Sequence, residues 1–97
     1  MLTMNAVGLF VTDMEKMVSF YRDVMGMQTD WAGDANAELS CGRARLIMFG
    51  RDDFEAMTAR KYAYPNGRNG TMELSFDVAD FARVDAEYER VVKAGAT

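Results

Sequence analysis

Residues 7 to 27 read as strand, helix start, helix and helix stop in one uninterrupted run. Val7, Leu9 and Val11 alternate with Gly8 and Phe10, the two-residue period of a strand with one face on a core. Thr12 and Glu15 have the S/T-x-x-E spacing of a capping box, which satisfies two orphan N–H groups where a helix begins. Met14, Met17, Val18, Tyr21 and Met25 then form one apolar stripe at helical spacing, and Gly26 supplies a left-handed stop. Three short strands are expected next, over residues 29–32, 37–41 and 44–49, separated by the turn signals Gly33-Asp34 and Gly42-Arg43. Strand, helix and three strands make one βαβββ module.

Residues 52–60 read as a short helix or helical turn, and 61–70 as a loop punctuated by Pro65-Asn66-Gly67 and Asn69-Gly70. From Thr71 the opening pattern starts again. Met72, Leu74 and Phe76 repeat the alternation of Val7, Leu9 and Val11, and a second amphipathic helix carries Phe81, Val84, Tyr88, Val91 and Val92 before Gly95 closes it. An internal duplication is the economical reading. The expected organisation is a single domain over 1–97, with module one at about 3–50, a crossover segment at 51–70 and a partial second module at 71–97. That second copy stops where the first enters its remaining strands. Either further sequence completes it or a partner supplies the missing sheet, and the unpaired edges and apolar face that would otherwise be left open favour the first.

Composition narrows the chemistry. The 97 residues are 49% hydrophobic and 27% charged, ordinary values for a globular domain. The net charge of −4, with Lys and Arg scattered, speaks against nucleic acid, which requires a basic stripe. No apolar run approaches a membrane span and no secretory pattern is evident at the N-terminus, so no membrane partner and a cytoplasmic location are expected. Cys41 stands alone, which excludes an intrachain disulfide and fits a reducing compartment; it reads as a small buried hydrophobe at a strand end. Of the nine methionines, Met14, Met17, Met25, Met48 and Met72 fall at core-period positions. Histidine is absent. That removes Ser-His-Asp and Cys-His nucleophile systems, H-E-x-x-H zinc sites and the ordinary proton shuttle of neutral pH, leaving carboxylates, Tyr, Lys and Cys for any catalysis.

The run Val11-x-Asp13-Met14, then Phe20-Tyr21, then Gly26-Met27 resembles the opening of the vicinal-oxygen-chelate superfamily, which includes glyoxalase I, bleomycin-resistance proteins and extradiol dioxygenases. The resemblance implies an α+β fold of paired βαβββ modules, with a curled mixed sheet around a cavity, the second module being incomplete here. It also implies a divalent metal held by inward-facing residues of both modules. The positions it assigns to those ligands are Ala6, Ile47 and Thr71, with a fourth near the C-terminus of a complete second module. Ala and Ile cannot ligate a metal, and a Thr hydroxyl is a poor ligand by itself. No cofactor is therefore expected, a divalent metal being the alternative.

With Val7, Leu9 and Val11 on the helix side, Gly8 and Phe10 face the implied cavity, and Ile47, Phe49 and Trp31 give it apolar, aromatic walls suited to a planar or hydrophobic ligand. Thr71, Glu73 and Ser75 are its candidates from the second module, with Arg45 pointing inward from the facing strand. Glu73 is either a partly buried carboxylate that acts as general base or binds a cationic ligand, or the structural partner of Arg45, or a residue facing solvent at the open end. Tyr62 and Tyr64 are placed to cover the pocket mouth, whereas Asp52, Asp53 and Glu55 suit the start of a short helix. The function expected is small-molecule binding without the usual metal site, in a homodimer. The alternatives are a lyase, isomerase or dioxygenase with atypical ligands or with Glu73 as base, and a structural α+β interaction module.

Overall fold

In the computed structural model, which describes residues 2–67, 70 and 72–97, the chain forms two compact units, Met1–Arg60 and Lys61–Thr97. The first unit contains strand β1 (Val7–Val11), helix α1 (Met14–Ser19) running on into a π-helical turn (Phe20–Val24), strands β2 (Asn36–Cys41) and β3 (Ala44–Gly50), and helix α2 (Arg51–Thr58). The second contains helix α3 (Phe81–Lys93). The three strands form one mixed sheet in the order β1-β3-β2, with β3 parallel to β1 and antiparallel to β2. This open, three-stranded α+β arrangement is not closed into a barrel and fits a partial module of the expected kind.

The hydrophobic period decides which face of the sheet is covered. Val11, Ala37, Leu39, Leu46 and Met48 lie on one face, and Val18 of α1 and Met27 complete the buried core there. Leu39, Met48 and Val18 are at most 1% exposed. Full burial of such side chains contributes about 1.5–3 kcal/mol each. β2 and β3 are joined through Gly42 and Arg43, and Gly42 adopts φ 59, the positive value that a two-residue hairpin turn demands of its first residue.

Helix α1 is capped by Asp13 rather than by Thr12. The Asp13 carboxylate accepts a hydrogen bond from Lys16 N–H at 3.0 Å while its own backbone remains extended. A carboxylate beside the positive end of the helix dipole outcompetes the neighbouring hydroxyl, which moves the expected cap by one residue. Beyond Ser19 the helix widens, and Met25 N–H reaches Phe20 C=O at 3.1 Å. The turn half-buries Tyr21, whose ring meets Phe20 edge-on at 5.6 Å. Gly26 ends the segment at φ 77.

Two expected strands are not formed among the described residues. In 29–32, Trp31 N–H donates to Thr29 Oγ1 at 3.1 Å and Trp31 Nε1–H to the Asp34 carbonyl at 2.8 Å. These local bonds turn the chain away from a ladder, and only the bridge Gln28↔Ser40 remains. Residues 72–78 make no ladder, since a strand exists only where its backbone groups find a partner strand. Cys41 is exposed, because it is the last residue of β2 beside the hairpin turn, and Met72 is 58% exposed. α3 starts at the Asp80 cap, whose carboxylate accepts from Arg83 N–H at 3.0 Å. Its stripe is exposed, Phe81 at 94% and Tyr88 at 68%.

Met48→Ala is expected to lower unfolding free energy by about 2–5 kcal/mol in a urea titration, through lost transfer energy and the cavity left under α1. Burial raises the Tyr21 pKa above its ordinary 10.0. The unfolded chain therefore loses this proton first as pH rises. The contribution of Tyr21 is complete below about pH 10 and is lost as pH climbs through the higher folded value. Thermal unfolding measured from neutral to strongly alkaline pH should show that loss, and Tyr21→Phe should reduce it.

Candidate functional site

The face of the sheet away from α1 carries the candidate site, and the strand register orders it into rows. Phe10, Phe49 and Asn36 lie side by side at one end; Gly8, Ile47 and Glu38 form the middle; Arg45 and Ser40 stand at the other end, where Gln28 bridges Ser40. Successive rows are two residues apart, about 7 Å, so Arg45 and Phe49 are separated by about 13 Å along β3.

The first end is aromatic. Phe10 and Phe49 stack with ring centroids 5.9 Å apart and an interplanar angle of 20°. Phe54 from α2 lies 4.3 Å from Phe10 and 5.7 Å from Phe49. α2 is brought there by Gly50, where β3 passes straight into the helix; a Cβ at that position would sit 2.7 Å from Asp53 Oδ2. Arg51 Nε–H also donates to the Phe10 carbonyl at 3.1 Å, tying the start of α2 to the end of β1. Phe10 nevertheless remains 36% exposed, so the cluster presents an accessible apolar surface. Asp52 and Asp53 occupy the first turn of α2, where carboxylates complement the helix dipole.

The opposite end is polar. Arg45 Nη2 contacts Glu38 Oε2 at 2.6 Å, and its Nη1 donates to Asn5 Oδ1. The Arg45–Glu38 pair is a cross-strand diagonal within the hairpin, which brings Glu38 within reach at little conformational cost. Gln28, Asp30, Glu38, Ser40 and Arg45 line a cavity of about 370 Å³ at this end. Neither Gln28 nor Asp30 carries a sequence signal for this cavity, because the expectation over residues 29–32 is a strand.

The other expected site residues distribute as follows. Trp31 is half-buried, its indole N–H taken by Asp34 as described above. Glu73 and Ser75 belong to the second unit and are both exposed, with Ser75 Oγ donating to Glu73 Oε1 at 2.9 Å. Glu73 thus faces solvent, one of the alternatives expected for it, rather than standing partly buried. Tyr62 and Tyr64, also in that unit, approach each other with ring centroids 6.4 Å apart. Thr71 lies outside the described residues.

Ala6 immediately precedes β1 and Ile47 lies in the middle row, so neither implied ligand position that can be inspected carries a donor atom. Among the described residues no three His, Cys, Asp or Glu side chains are grouped so as to hold a metal ion. The side chains at these positions do not fit a divalent cation. No helix among the described residues is long and apolar enough to cross a membrane.

Residues 3–97 match the family described as the glyoxalase/bleomycin resistance protein/dioxygenase superfamily, and the chain belongs to it. A glyoxalase/bleomycin resistance protein/dioxygenase family enzyme from Burkholderia phytofirmans PsJN is 25% identical with a TM-score of 0.78, covering 96% of this chain and 73% of that one. A hypothetical protein from S. aureus is 22% identical with a TM-score of 0.76, covering 98% of this chain and 71% of that one. Lactoylglutathione lyase from Agrobacterium tumefaciens is 24% identical with a TM-score of 0.62, covering 98% and 72% respectively. The last two likenesses concern the fold alone. Among curated proteins no sequence matches this chain.

The Arg45 and Glu38 side chains are 32% and 58% exposed. Solvent screening limits such a pair to less than about 1 kcal/mol. Glu38→Gln should shift the urea midpoint only slightly, and a loss comparable to that of Met48→Ala would contradict this assignment.

Proposed function

We propose that this chain is a small-molecule-binding member of its superfamily, taking a planar apolar ligand on the sheet face of Phe10, Ile47 and Phe49 without the metal site that the family resemblance implies. One observation carries the reading. The same face that holds an accessible three-phenylalanine cluster has Ile47, with no donor atom, where a metal ligand was implied. Stacked aromatic walls attract a planar ligand through burial and offset ring contact. Catalysis through Glu73 has weaker support, because an exposed carboxylate beside a serine hydroxyl lacks the dry surroundings that tune a general base.

The test is calorimetric titration with naphthol, followed in parallel by the fluorescence of Trp31, the single tryptophan. Saturable binding to the wild type is expected, weakened roughly tenfold or more by Phe49→Ala, a loss that corresponds to about 1.4 kcal/mol. Metal analysis after dialysis against zinc or nickel should find no stoichiometric ion. Failure of naphthol to bind, or one tightly held ion per chain, would overturn the proposal.

A further inference from the structure

The Asn66-Gly67 step belongs to the second unit, in the segment between α2 and α3. Both residues are exposed, and residues 61–66 form no helix or strand. Gly67 stands at φ 62, a left-handed conformation that suits glycine, and a Cβ built there would meet no atom within 4 Å. Among the described residues, neither the Asn66 side-chain amide nor the Gly67 N–H is held by a hydrogen bond. Asn5 and Asn36 are held differently. Asn5 Oδ1 accepts from Arg45, Asn36 stands opposite Phe49 in the β2–β3 ladder, and an alanine follows each of them.

An asparagine Cγ can close a five-membered ring with the backbone nitrogen of the next residue. Once hydroxide draws off the N–H proton, that nitrogen attacks the amide carbon, and a following glycine sets no side chain in the way. We infer that Asn66 is a site of spontaneous modification by water, at which its side-chain amide is lost through a ring closed on the Gly67 nitrogen. The Gly67 N–Cγ bond forms and the Cγ–Nδ2 bond breaks, and the amide leaves as ammonia carrying the proton that Gly67 gave up. Water then opens the cyclic imide at either carbonyl. Breaking the N–Cγ bond yields aspartate, whereas breaking the bond from nitrogen to the main-chain carbonyl carbon yields isoaspartate, in which the chain runs on through Cβ and Cγ. Water is the one co-reactant, and nothing is oxidised or reduced. Either product carries one negative charge more than the −4 of the unmodified chain.

The fold contributes by leaving this step open. A residue held in a ladder reacts only from the small fraction of molecules in which that ladder has opened, and Asn36 is so held. Asn66 has no ladder to break, so the folded chain reacts there as readily as a short peptide does. No ligand takes part, and the inference stands apart from the binding function proposed above.

The full chain, incubated at neutral and at alkaline pH beside the synthetic peptide Tyr62–Arg68, is followed by tryptic mapping with mass spectrometry. Cleavage after Lys61 and Arg68 separates Asn66 from the Asn69-Gly70 pair, of which Asn69 lies outside the described residues. The Tyr62–Arg68 fragment should show the mass gain of an amide turned to an acid, as two resolved isomers, faster at alkaline pH and within about threefold of the free peptide's rate. Fragments carrying Asn5 and Asn36 should change roughly tenfold or more slowly. Asn66→Gln, which would have to close a six-membered ring, should abolish the change, and Gly67→Ala should slow it about tenfold. A rate in the folded chain that falls further below the peptide's, an equal rate at Asn36, or a mass gain that persists in Asn66→Gln would overturn the inference.

Discussion

The parallel pairing of β1 with β3, Val7 against Leu46 through Val11 against Gly50, is the constraint on which the first unit depends. A parallel pair cannot be closed by a tight turn, so the chain must cross over, and α1 with its widened last turn makes that crossing. The crossing covers one face and leaves the other open. Because side chains alternate, the register that buries Leu46 and Met48 necessarily turns Arg45, Ile47 and Phe49 to the opposite face. Slipping the pairing by one residue would bury Arg45 beneath α1 without its partners and expose the apolar set. The core and the candidate site are two consequences of one register.

Membership of the superfamily and the chemistry of this face are separate matters. The fold holds inward-facing positions in a fixed geometry, but the side chains placed there decide what can be bound. Here Ile47 offers a methyl-rich surface, Phe10 and Phe49 offer stacked rings, and the charged groups collect at the far end around Arg45.

Much of this arrangement was legible in the residues before any coordinates. The alternation of Val7, Leu9 and Val11, the Gly42-Arg43 turn and the stripe from Met14 to Met25 report directly on elements whose stability is local or depends on one buried face. The membership of Phe10, Ile47 and Phe49 in a single face follows from the same two-residue period. Less legible were choices between near-equal local options. Asp13 and Thr12 are adjacent and both can cap, and the carboxylate of Asp13 takes the place beside the helix dipole. Trp31 interrupts its expected strand through a hydrogen bond to Asp34, a contact that no periodicity encodes.

Local physics, acting through the spacing of apolar residues and the turn chemistry of glycine, thus determined the helices, the β2–β3 hairpin and the covered face of each strand. Tertiary structure alone decided who pairs with whom. It selected β3 as the central strand, gave Arg45 to Glu38 and Asn5, gathered Phe54 from α2 onto Phe10 and Phe49, and left residues 72–78 without a ladder. The reason is that strand pairing and side-chain partnership are relations between distant segments. A residue's own sequence neighbourhood sets what it can offer, and only the folded chain brings it something to meet.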